Sequence, residues 1–138
     1  MTDFLSIAFF INIALLSLDH FICGFFAIFF PSQAIRLYKI LFGLEIPATE
    51  EYFTILKPWG ALGIFAGIVG FIILTGPERY SQLLLALIIL LILRIYIRVR
   101  FAHNSKSQLA LSTKRNLIHV GLITTCVLLL ILQFWLYN

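Results

Sequence analysis

Charged side chains are scarce in this chain: they make up 12% of its 138 residues, and only six are acidic. Soluble domains carry about a quarter charged residues, so water is not the main solvent of this protein. The shortage of acids also limits its chemistry. Asp19 has no second acid beside it in any apolar segment, and no cluster of Cys, His and carboxylate has ligand spacing on one helix face, so neither a catalytic motif nor a metal site is expected. Cysteine is limited to Cys23 and Cys126, each several residues inside an apolar segment. Their depths are compatible with a thiol pair between helices one and four, or with two small buried side chains. No connection is large enough for a soluble catalytic domain, no repeat is present, and no basic surface with stacking platforms remains for nucleic acid.

What the chain has in abundance is apolar length. Apolar residues reach 62% and the mean hydropathy is +1.05. Four segments approach or exceed the roughly 20 residues that a spanning helix requires, at about 4–30, 55–75, 80–97 and 117–137. Continuous runs such as Leu83 to Leu93 lack the alternation of a barrel strand, and only helices satisfy their own backbone in lipid. The first segment has no basic residue ahead of it and no small-residue cleavage site, so it reads as a retained helix. The expected fold is all-α: a single membrane domain over residues 1–138, a polytopic four-transmembrane-helix bundle.

Basic residues set the expected orientation. Arg36, Lys39 and Lys57 lie at the first connection, and Arg94, Arg98, Arg100, Lys106, Lys114 and Arg115 surround the third; Arg79 alone remains for the other side. Nine against one makes loops 31–54 and 98–116 cytoplasmic and puts both termini outside; for a bacterial source the membrane is the inner one. Pro31-Ser32 can start a short helix in the first loop and Gly43 can stop it. Gln33, Arg36 and Lys39 oppose Ile35, Leu37, Tyr38 and Leu41, the pattern of an interfacial helix or of a capped helix packed on the bundle. Thr49 with Glu50 and Glu51 reads as the start of helix two, with a bend expected at Pro58.

Asp19 is the most informative residue, because an acid halfway through a span costs roughly 2.5 to 3.5 kcal/mol on insertion scales. Helical period places Asn12, Leu16, Cys23 and Phe26 near its face, and His20 a quarter-turn away. Asp19, His20, Asn12 and Arg94 form the candidate ligand or proton site; the alternatives are a structural clamp, with Asp19 bonded to a neighbour or paired with Arg94, and an Arg94 that snorkels. His20 and His119 differ in expected depth by about 12 Å, which speaks against a shared haem. No cofactor is expected. Gly60, Gly63, Gly67 and Gly70 form a small-residue stripe on helix two, expected to pack within the chain more than between copies. Arg94, Arg98 and Lys106 are candidate contacts for anionic lipid head groups, or simply fix topology.

Four spans, a Pro-anchored stretch from Phe29-Phe30-Pro31 to Leu41-Phe42-Gly43 and a Gly-rich second span together resemble the DoxX-like membrane proteins. The resemblance covers architecture over most of the chain and carries no catalytic residue across. It implies an auxiliary role: a small accessory or assembly subunit, without activity of its own, packed against a larger membrane partner or as a homo-oligomer. The competing readings are an intramembrane small-molecule site (lipid, quinone or proton relay) centred on Asp19 and His20, and an oligomeric channel or transporter.

Overall fold

The computed structural model describes residues 2–102 and 110–137. The chain runs α1 (Thr2–Phe29), α2 (Pro31–Phe42), β1 (Leu44–Glu45), α3 (Glu50–Leu74), α4 (Ser81–Ala102), β2 (Ala110–Leu111) and α5 (Thr113–Tyr137). Four of these helices, all but α2, are long and apolar enough to cross a membrane. Their outer faces stay apolar: Phe4, Leu62, Phe65 and Trp135 are all exposed.

The helices outrun the apolar segments that announced them. Helix α3 begins at Glu50, where the Thr49-Glu50-Glu51 signal puts its start and five residues ahead of the apolar segment, and continues unbroken through Pro58. Thr49 occupies its N-cap in an extended conformation but makes no side-chain capping bond there. Helix α4 continues past Ile97 to Ala102, and α5 starts at Thr113, ahead of Leu117. Hydropathy falls at these ends, but no glycine or proline interrupts the backbone there, so α2 and the first turn of α3 fill most of loop 31–54, while α4 and α5 extend into loop 98–116 as far as Ala102 and from Thr113.

Helices α1 and α3 form the closest pair, and the glycine stripe is the reason. A Cβ on Gly60 would stand 2.7 Å from the Gly24 carbonyl oxygen, and one on Gly67 would stand 2.8 Å from that of Ser17. Only hydrogen fits there, so the two backbones touch. Ser17, fully inside this seam, donates its hydroxyl to the Ile13 carbonyl at 2.7 Å, which spares it a partner across the interface. The main core lies between all four long helices and includes Phe9, Ile13, Ile73, Leu84, Leu91 and Leu130.

Helix α2 starts with Pro31 in its first turn and ends at Gly43, whose left-handed φ of 67° lets its N–H bond to the Tyr38 carbonyl. Its inward face is Ala34, Tyr38 and Phe42, spaced four residues apart, with Ile35 beside them; of the expected apolar set Ile35 and Tyr38 pack inward, whereas Leu41 is exposed with Ile40. Past Gly43 the two basic connections are sewn together. Leu44 pairs with Leu111 and Glu45 with Ala110 in an antiparallel ladder. The Ser112 amide donates to the Gly43 carbonyl at 2.9 Å. Arg115 donates to the Lys39 carbonyl at 2.7 Å. Lys39 also meets Glu45 at 2.9 Å, and this hydrogen bond and charge hold the Glu45 carboxyl below its usual range. The ladder is too short to read from sequence, and it makes one cap at the basic end of the bundle.

Candidate functional site

A cluster of polar side chains from the long helices lies just inside that cap. Arg94 and Arg98 are one turn apart on α4 and so share a face, as Asn116 and His119 do on α5. Phe42, the last residue of α2 and only 5% exposed, inserts among them. The guanidinium carbons of Arg94 and Arg98 stand 5.3 and 5.2 Å from the centre of its ring. The His119 ring meets Phe42 edge-on at 4.7 Å.

His20 reaches this cluster from α1. Its Nε2 lies 2.7 Å from Arg94 Nη1, and its Nδ1 lies 2.8 Å from the Leu16 carbonyl oxygen. A guanidinium only donates, so Nε2 must accept, and the ring proton belongs on Nδ1, where it is given to Leu16. The network therefore assigns a neutral His20 with both nitrogens engaged. Arg98 Nη1 donates to Asn116 Oδ1 at 3.1 Å. Among the described residues the ion pair is Lys39 to Glu45 at 2.9 Å, the neutral His20 ring lies 3.9 Å from Asp19, and neither contact includes Arg94 or Arg98.

The expected Asp19 face divides into separate contacts. Asn12 donates to the Cys126 carbonyl at 3.2 Å, joining α1 to α5 about 10 Å along the helix from Asp19. Asp19 accepts from the Cys23 thiol at 3.7 Å and keeps its side chain 34% exposed. Arg94 bonds to His20 instead of pairing with Asp19 or snorkelling, because its partner sits one residue further round α1. The Tyr38 hydroxyl donates to the Cys23 carbonyl at 3.2 Å. Burial, with the nearby Cys23 thiol, pushes that phenol up to about 12, so it remains a neutral donor. Lys106 lies outside the described residues.

Two depth estimates are corrected. His119 and His20 are not about 12 Å apart in level, since His119 touches Phe42 and His20 holds the Arg94 that stacks on the same ring. Counting from the ends of apolar runs misplaces them, because α5 starts earlier than its apolar run. The same error paired the cysteines. Cys126 is level with Asn12, and Cys23 lies eleven residues further, about 16 Å along α1. Both cysteines are free. A disulfide needs Cα atoms within about 7 Å, so copper-phenanthroline oxidation should leave the monomer with two alkylatable thiols. An internal crosslink in the folded chain would contradict this geometry.

Among the described residues no three His, Cys, Asp or Glu side chains come together as a metal ion requires. Phe42, Asn116 and His119 are the cluster members that sequence reasoning missed. The signals were the i, i+4 repeat of Arg94 and Arg98, the i, i+3 repeat of Asn116 and His119, and the aromatic residue immediately before the Gly43 stop. Comparison with protein-family models, curated proteins and solved structures returns no match for this chain.

Proposed function

We propose that this is a multi-pass membrane protein of the bacterial inner membrane, similar to the DoxX-like proteins, acting as a small non-catalytic accessory subunit of a larger membrane protein. Its capped basic end faces the cytoplasm and both termini face outward, in keeping with the positive-inside bias. Helix α2 lies at the inner interface, with Arg36 and Lys39 toward water and exposed Ile40 and Leu41 toward acyl chains.

One observation carries the accessory role: five neutral polar groups of the interior are engaged within the chain, and His119 Nε2 is the buried side-chain atom left over among the described residues. Asn12 serves a backbone carbonyl of α5, Ser17 and His20 serve carbonyls of α1, Tyr38 ties α2 to α1, and Asn116 serves Arg98. These are the contacts of a scaffold, and its apolar exterior is left to meet a membrane partner. A proton relay at Asp19 and His20 draws no support from this arrangement, because both imidazole nitrogens are already engaged.

Native mass spectrometry of the chain extracted gently from its own membrane tests the role. Recovery with a larger membrane protein is expected, and a bare monomer under conditions that preserve other complexes would refute it. Asp19→Asn should be recovered with the same partner and lose less than about 1 kcal/mol, since an amide oxygen still accepts from Cys23. Loss of the partner, with folding intact, would move the function to the carboxylate.

A further inference from the structure

We propose that Arg94 and Arg98, together with Asn116 and His119, bind a phosphate oxyanion that enters beneath the cap at the basic end. Both guanidiniums are drawn into the bundle, where the Asp19 carboxylate is near enough for its charge to favour them but does not pair with either. Each has five N–H donors, yet among the described residues the side-chain acceptors that meet them are His20 Nε2 for Arg94 and Asn116 Oδ1 for Arg98. Two cations near one acid, with no carboxylate of the described residues in ion-pair contact, form a site short of negative charge. Asp19 lies on the α1 side, committed to the Cys23 thiol, and does not reach ion-pair distance of either arginine.

A third group points the same way. His119 Nε2 is buried and has no hydrogen-bond partner, on a ring packed against the same Phe42 that carries both guanidiniums. A buried ring nitrogen in this position calls for a polar partner. With its proton on Nε2, His119 donates to an oxyanion beside the arginines. Phosphate suits three donor groups better than carboxylate. Both guanidiniums and the His119 ring meet the same Phe42 ring, and a phosphate offers three or more acceptor oxygens to such a set where a carboxylate offers two.

The way in is also cationic. An open groove of about 220 Å³ at the basic end is lined by Lys39, Gly43, Glu45, Ser112 and Arg115. Gly43 follows Phe42 directly, and the Asn116 amide is bonded to the Ser112 carbonyl at 2.8 Å, so the groove adjoins the cluster. Glu45 is the acid at its mouth and is paired with Lys39. The same oxyanion chemistry is presented by the head group of an acidic phospholipid and by free phosphate.

The test uses the full chain in phosphatidylcholine nanodiscs with and without phosphatidic acid, read by native mass spectrometry and thermal unfolding. Inorganic phosphate is titrated in parallel against chloride at equal ionic strength. Selective retention of phosphatidic acid is expected, and its displacement by inorganic phosphate would show one shared site. Stabilisation by phosphate with no preference among lipids would keep the site and make its occupant soluble. Arg98→Gln should weaken binding about tenfold, the loss of one charge-assisted hydrogen bond, while Arg100→Gln, exposed on the same helix, should not. If Arg98→Gln fails to fold, the wild-type comparison decides alone. Phosphatidic acid held no better than phosphatidylcholine, with no response to phosphate, would overturn the proposal, as would equal losses in the two variants.

Discussion

Gly67→Ile should unfold in detergent far more readily than the wild-type chain, with a loss of about 3 kcal/mol or more. The first side-chain atom alone would stand 2.8 Å from the Ser17 carbonyl oxygen and 2.9 Å from both the backbone nitrogen and the Cβ of Phe21. These are not the tips of flexible side chains, so α1 must withdraw as a body. In lipid the helices are held by dispersion and close approach, with little hydrophobic drive between them. Parting the seam at Gly67 therefore also loosens the contacts at Gly60 and Gly70. Gly121 supplies the control: a Cβ there meets nothing within 4 Å, so Gly121→Ala should be neutral or stabilise α5 by about 0.5 to 1 kcal/mol. Denaturant titration of both variants in the same micelle would decide. A Gly67→Ile chain as stable as Gly121→Ala would mean that α1 and α3 do not touch there.

His20→Leu is the second large effect, at about 3 kcal/mol. It strips a buried guanidinium of the neutral acceptor that meets it at 2.7 Å and leaves a charged donor unsatisfied. Arg94→Met should cost less, about 1 to 2 kcal/mol, because it removes the charge and leaves only His20 Nε2 unpaired. The double variant has neither defect and should recover most of the loss, giving a coupling of at least about 1 kcal/mol in a double-mutant cycle. Strict additivity would detach His20 from Arg94 and dissolve the network through which the site is assembled.

The four long helices were legible because a span leaves its mark in composition alone, and α2 because Pro31 and Gly43 mark its two ends. Partner identity was harder to read. The helical period correctly drew Asn12, Asp19 and Cys23 toward one face of α1, but a face does not say which neighbour each residue meets. Depth was the main source of error. Hydropathy reports where apolar residues stop, whereas helices α4 and α5 run on through Arg98 and from Thr113, moving His119 and Cys126 relative to α1. Phe42 could not be placed at the centre of the cluster from sequence, because its position depends on the path of the chain after Phe29. The β1 and β2 pairing, with two residues on each side, has no periodicity to detect.

The cap also dictates an order of events at the ribosome. Residues through Leu74 contain both halves of the glycine seam, so the α1 and α3 hairpin has its interface complete while α4 is still to be made. Gly43 must then wait for Ser112, and Lys39 for Arg115, across some seventy residues of chain. Until α5 begins to emerge, Phe42 lacks His119 and Arg98 lacks Asn116. The nascent chain thus carries an unfinished cationic end, and that end closes only once α5 has been made.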